Sequence, residues 1–311
     1  MPIIIALLLS AVTLQWTSDA CAQTPKTPAA DEPKAPVALN PQKTVLLDRD
    51  DHKLILETEV VLRAGLLEML VCLKQTKEHE SILSLDAKAA TVHAGLLALG
   101  SQPGTPVKFD PEFQPPQGQV IEIWMMWKDA EGKWQRAKAQ NWVRSVTRKY
   151  HIAKLEQFPA GVKIPEDSDL RYDDKFHELL WFGMMSDRDR DRMLALSADP
   201  KYQAAVKQLH KISQVVPMTA DWVFSGSSFY RDEATGQQHY LAEGGDLICV
   251  ANFATATLDV REKSSANSEG GLSYEAWEER IPPLGTKVRV ELIPVKPEAE
   301  EKQPAADAPA K

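Results

Sequence analysis

Thr76-Lys-Glu-His-Glu-Ser81 sets a hydroxyl, an ammonium, two carboxylates, an imidazole and a second hydroxyl in six consecutive positions. Read as the start of a strand over His79–Leu85, it turns His79 and Ser81 to one face and Glu78 and Glu80 to the other. An imidazole beside a hydroxyl suits nucleophilic or acid–base work, provided that an acid orients the ring and a pocket encloses the pair. His93 could approach from the following helix and, with Glu80 or Asp86, complete a divalent-metal site. The catalytic candidates are therefore His79, Glu80, Ser81 and His93. Against them stands the spacing: zinc sites announce themselves by close pairs of ligands, and His79 to His93 is not such a pair. The stronger reading makes His93 a hydrogen-bonded packing group and leaves Lys77, Glu78 and Glu80 solvated or paired across strands. No metal and no cofactor is expected.

Other fragments fail on inspection. His177-Glu178 lacks a histidine at Trp181, so it is no zincin helix. Asp187-Arg-Asp-Arg-Asp-Arg192 has Arg192 where a calcium loop needs glycine, and Ala198 where it needs a closing glutamate. Ser225-Gly-Ser-Ser228 lacks the flanking glycine of a nucleophile elbow. Trp124 opposite Trp134 on one strand face could stack on a sugar ring or grip an apolar partner; the competing reading has them covering a core. Cys72 and Cys249 each sit in an apolar, strand-like run, and both a disulfide in an oxidising compartment and two buried thiols fit that placement.

The elements that must position these groups follow from periodicity. Leu54, Leu56, Val60 and Leu62 share one parity, which predicts a half-buried strand paired with Thr44–Leu47. Leu66–Leu73 reads as an interior strand. Asp86 is placed to cap a helix over Ala87–Leu99, with Gly100 to end it. Apolar residues on two faces of that helix predict burial between layers. Gly118–Lys128 and Lys133–Ala139 predict a hairpin with Ile121, Ile123 and Met125 on one face. Phe176, Leu179, Leu180, Gly183 and Met184 are helically spaced, Ser186 with Asp189 forms a capping box, and Asp199-Pro200 starts a further helix. Strand character returns in Trp222–Tyr230, Gln237–Ala242, Leu247–Asn252 and Thr286–Ile293.

Composition bounds the rest. A 311-residue chain with 43% hydrophobic residues can bury a sizeable core, and a net charge of −8 argues against nucleic acid, which demands clustered Lys and Arg. The apolar run Ile3–Leu14 before Ala20-Cys21-Ala22 reads as an export signal cleaved near Ala22/Gln23, giving a periplasmic or secreted protein. Asp19 disfavours the competing lipoprotein reading at Cys21. Gln23–Pro41 has five prolines in nineteen residues and reads as a linker; residues 296–311 repeat that chemistry as a tail. No second apolar run reaches membrane length, so no transmembrane span is expected in the mature chain.

The blocks Thr76-Lys-Glu-His-Glu-Ser81, Val92-His-Ala-Gly-Leu-Leu-Ala-Leu-Gly100, Asp221-Trp-Val-Phe-Ser-Gly-Ser227, Gly245-Asp-Leu-Ile-Cys249 and Ile281-Pro-Pro-Leu-Gly-Thr286 together resemble the YdjY-domain family of bacterial exported proteins. The resemblance implies an extracytoplasmic domain of unassigned activity; it carries over no catalytic residue and no cofactor. The sequence thus predicts an α+β fold: a mainly antiparallel sheet packed around a buried helix (about 87–99), with a helical insertion (about 166–214). The whole forms one globular domain over 42–295. The expected function is a non-catalytic binding module with an envelope protein or glycan as partner; the alternative is a metal- or His-dependent hydrolase centred on His79, Glu80 and Ser81 with His93.

Overall fold

The computed structural model describes residues 35–265 and 271–296. The expected export signal, Cys21, residues 23–34 of the expected linker and 297–311 of the expected tail lie outside them. Eight strands form a closed barrel: β1 (Lys53–Val60), β2 (Met69–Leu73), β3 (Ser81–Leu85), β4 (Val120–Lys128), β5 (Trp222–Phe224), β6 (Ile248–Cys249), β7 (Leu258–Val260) and β8 (Lys287–Pro294). Around the ring the order is β1-β8-β4-β5-β7-β6-β2-β3, and β3 pairs back onto β1. The β6–β7 and β2–β3 contacts are parallel; the other contacts are antiparallel.

Alternation explains the closure. Leu56, Val290 and Met125 are aligned across β1, β8 and β4, as are Leu54, Leu292 and Ile123, and all six are buried in one core. Residues of the other parity on β4, Glu122, Trp124 and Met126, are only half-buried. A sheet with one apolar face and this many strands can remove that face from water by curling onto itself, which also abolishes its free edges. Outside the ring, Val45–Asp48 adds to β1, Val37–Ala38 adds to Val45–Asp48, and Trp134–Lys138 adds to β4. Val37–Ala38 falls within the stretch read as linker.

The expected sheet around a buried helix is therefore overturned: the chain is mostly β, and the barrel core is built from strand side chains. Helix α1 (Ala89–Ala98) packs on the barrel by one face only. Ala89, Val92, Leu96 and Leu99 are buried, whereas Ala90, Ala94 and Ala98 are exposed and Leu97 is 45% exposed. Alanine accounts for the difference. It counts as apolar, yet it is the best helix former and exposes little apolar surface, so an alanine-rich outer face does not demand a second layer. The helix lies close because position 95 is glycine: a Cβ there would meet a Leu54 methyl at 2.5 Å.

The expected helical insertion is also corrected. Tyr150–Lys154, Leu170–Asp173 and Glu178–Phe182 form an antiparallel three-stranded sheet with Glu178–Phe182 in the middle. Behind it lie α2 (Asp187–Leu194) and α3 (Pro200–Ile212), enclosing a second core that includes Leu170, Leu179, Trp181, Tyr202, Val206 and Leu209. The helical spacing from Phe176 to Met184 fails for a local reason. The Asp173 carboxylate accepts from the backbone N–H groups of Lys175 and Phe176, and His177 adopts φ 55°, so the chain makes a tight hairpin there. The caps of the two helices are as expected: Ser186 Oγ accepts from Asp189 N at 3.1 Å, and Asp199 Oδ1 from Tyr202 N at 2.8 Å. The two ends of the insertion run side by side, Ser145 N donating to Val216 O at 2.8 Å and Met218 N to Val143 O at 3.1 Å.

Candidate functional site

The expected strand over His79–Leu85 begins only at Ser81. Glu78–Glu80 forms a turn of 3-10 helix, so the predicted shared face of His79 and Ser81 does not exist. The turn is set by Gln75 at φ 64°, by Thr76 Oγ1 donating to Leu73 O at 2.6 Å, and by the Gln75 N–H, which is taken by the Glu78 carboxylate. His79 points outward, its side chain 78% exposed, with Glu80 Oε2 at 3.7 Å. Ser81 is fully buried, and its hydroxyl donates to Leu83 O at 2.8 Å.

Lys77, rather than His79, is the residue that reaches into the fold. Its ammonium lies 3.0 Å from Asp246 Oδ1, 3.6 Å from Glu68 Oε2, 3.6 Å from Glu80 Oε1, and 4.4 Å above the Phe253 ring. Burial alone would lower the Lys77 pKa, but Asp246 and then Glu68 and Glu80 outweigh it and raise it. Burial and the neighbouring Glu80 carboxylate raise Glu68, against the pull of Lys77. Thr255 Oγ1 donates to the second oxygen of Asp246. Behind this cluster sits Asp259, fully buried. Burial pushes its carboxyl up to about 8, although the N–H groups of Val260 and Phe253 and the Asn252 amide pull the other way.

His93 belongs to a neighbouring group. Its Nδ1 is 3.0 Å from Tyr240 Oη, and its ring meets Phe224, Tyr240 and Phe229 edge-on at 5.0, 5.2 and 6.2 Å. Tyr240 Oη also donates to Gly226 O at 3.1 Å and lies 2.9 Å from Thr257 Oγ1. Burial lowers His93 and pushes Tyr240 up to about 12, so both stay neutral near neutral pH. The tyrosine is reached because Trp222–Tyr230 is not one strand: Gly226 at φ 87° and Ser227 at φ 56° break it after Phe224.

One segment connects the two groups. Tyr240 holds His93; Glu243 accepts from Ala89 N at 3.1 Å and Ala90 N at 3.0 Å; Gly245 packs on Thr76; Asp246 holds Lys77. Glu243 thereby does what Asp86 was expected to do. A carboxylate supplied from 153 residues away satisfies the orphan N–H groups of α1, favoured there by the helix dipole. Asp86 is instead exposed and pairs with Lys74 at 3.3 Å. Residues 240–246 act as a clasp that fastens α1 and the 74–80 turn to the barrel. No sequence motif marks it, since its partners are joined only by the fold.

His79 and His93 thus have separate partners, and among the described residues no group of three or more His, Cys, Asp or Glu could hold a metal ion. Trp124 and Trp134 are not opposed as expected: Trp124 faces Lys138 and Trp134 faces Lys128. The Arg136 guanidinium covers Trp124 at 3.8 Å, while Trp134 is 53% exposed. Cys72 and Cys249 lie on neighbouring strands as free, buried thiols, Cys249 Sγ 3.3 Å from Met69 Sδ. Among the described residues no helix is long and apolar enough to cross a membrane.

Comparison with known proteins gives a family. The family model described as the YdjY domain matches residues 45–154 and 198–292. No curated protein and no solved structure matches the chain. The two matched segments take in the barrel strands, all but the last two residues of β8, together with α1, and leave out 155–197 of the insertion. With that match spanning well over half its length, the chain belongs to the YdjY-domain family.

Proposed function

We propose that this YdjY-domain protein is an exported, non-catalytic binding or interaction module of the cell envelope, with the barrel as scaffold and the insertion as contact surface. The observation that carries the reading is the outer face of the insertion sheet. Tyr150 lies beside Phe182, and Ile152 beside Leu180; Tyr150, Ile152 and Phe182 are 55%, 45% and 40% exposed, and the Tyr150 and Phe182 rings touch edge-on at 5.1 Å. A contiguous aromatic and aliphatic face held on a rigid sheet is what a protein partner buries. It suits an envelope protein better than a glycan, because the Trp124 face that could stack on a sugar is taken by Arg136. Export rests on Ile3–Leu14 and Ala20-Cys21-Ala22.

The hydrolase reading needs His79, Ser81 and His93 to act on one reacting atom. Ser81 Oγ is bonded into its own strand and His93 Nδ1 to Tyr240, while His79 faces solvent. Capture from a native envelope extract separates the two readings. A partner retained by wild type and by His79→Ala, and lost by Tyr150→Ser/Phe182→Ser with an unchanged circular dichroism spectrum, is the expected result. Equal capture by the sheet-face variant, or stoichiometric metal lost on His79→Ala, would refute the proposal.

A further inference from the structure

Tyr150–Lys154 lies at the margin of the insertion sheet, with Glu178–Phe182 on one side only. Leu155 N donates to His177 O at 2.9 Å and Gly183 N to Lys149 O at 3.0 Å. Those two bonds fix the alternation: the odd-numbered residues of the strand turn their backbone groups inward, and Tyr150, Ile152 and Lys154 turn theirs to the open side. Among the described residues, nothing takes them up. The side chains of the same three residues are exposed. A row of free backbone groups beside an apolar face is a template for another strand. Next to it, Lys201, Ala204, Ala205 and Gln208 of α3 line a groove of about 330 Å³ against Lys154–Glu156, crossed only by the exposed ion pair of Lys201 with Glu156.

We propose that a second copy of this chain docks here, the two Tyr150–Lys154 strands pairing antiparallel across a two-fold axis at Ile152. The inference rests on the insertion being the contact surface and names its partner. What points to self-association is the sequence around that axis. Ile152 meets its own copy and Tyr150 meets Lys154, while in the bends just past the strand ends Arg148 comes beside Glu156, each of the last two contacts occurring twice by symmetry. An ammonium against an aromatic ring and a guanidinium against a carboxylate both attract. Slipping the axis to His151 would set Arg148 against Lys154, two cations face to face. The pairing also turns two three-stranded sheets into one of six strands, with Tyr150, Ile152, Leu180 and Phe182 of both copies on one side.

Sedimentation velocity of the full chain across a concentration range tests this. A concentration-dependent dimer is expected. Ile152→Pro removes an N–H that points outward and breaks no bond to Glu178–Phe182, so it should give a monomer with unchanged circular dichroism. Arg148→Glu should raise the dimer dissociation constant on the order of tenfold, since like charges then meet twice. Arg148→Glu/Glu156→Arg should restore it. The Glu156–Lys201 pair broken by the second change is exposed, so that change leaves the fold intact. A monomer at every concentration, or a dimer indifferent to both Ile152→Pro and Arg148→Glu, overturns the proposal. If the monomer still captures an envelope partner through Tyr150 and Phe182, only the second copy is refuted; if that capture also fails, the contact-surface reading falls with it.

Discussion

Glu243 shows how a side chain with catalytic potential can be committed to architecture. It neutralises the N–H groups that open α1, and it can do so only when the barrel has brought residues 240–246 beside residues 89–90. Glu243→Ala should lower stability by about 1 kcal/mol, as for loss of a helix cap, in urea unfolding monitored by circular dichroism. Gly245→Ala should be worse, because φ is 117° and a Cβ would meet Thr76 Oγ1 at 2.5 Å. Half-buried His93 and fully buried Asp259 should give opposite pH dependences. Burial holds His93 below its ordinary 6.5, so the unfolded chain binds more protons there. Its contribution is present above 6.5 and is lost as pH falls through the folded value. Asp259 is raised from 3.8 to about 8, so the folded chain binds more protons between those values and stability falls as pH rises through that window. Unfolding midpoints from pH 4 to 8 check both signs: His93→Gln should remove the loss on the acid side, and Asp259→Asn the loss on the alkaline side. An Asp259→Asn profile that superimposes on wild type above pH 6.5 would show the carboxyl already ionised.

Strands were legible where alternation was strict. Leu54, Leu56 and Val60, and Ile121, Ile123 and Met125, declared their inner faces because every second side chain must enter the core. Closure was not legible: β5, β6 and β7 are two or three residues long, and such short runs, separated by loops, carry no period that says which strand they join. The helix was legible but its setting was not, since Ala90 and Ala94 are apolar residues that lie exposed. Of the candidate site, the residues were visible and their partners were not. Lys77 with Asp246, and His93 with Tyr240, are separated by well over a hundred residues, a distance no local spacing rule spans. Two substitutions test the corrected core. Met125→Ala, in the barrel, should destabilise by about 2–5 kcal/mol, and Ala94→Ser, on the outer face of α1, by no more than about 0.5 kcal/mol. Had α1 been enclosed between layers, Ala94→Ser would be the costly change; calorimetric unfolding distinguishes the two.

At the scale of the molecule, the two larger cores among the described residues are that of the barrel and the smaller one between the insertion sheet and α2 and α3. Between the two matched segments of the family, residues 155–197 hold strands Leu170–Asp173 and Glu178–Phe182 and helix α2. Of the exposed sheet face, Leu180 and Phe182 fall in that gap, whereas Tyr150 and Ile152 belong to the first matched segment. The chain leaves the barrel at Val143–Ser145 and re-enters at Val216–Met218, and these two departures are hydrogen-bonded to each other. Joining them directly would leave no gap to bridge. A version in which residues 147–214 are replaced by a short turn should therefore keep the barrel's circular dichroism and cooperative melt while losing self-association. By the same geometry, the position is a socket: a foreign segment with closely spaced ends could be grafted there without altering the register of any barrel strand.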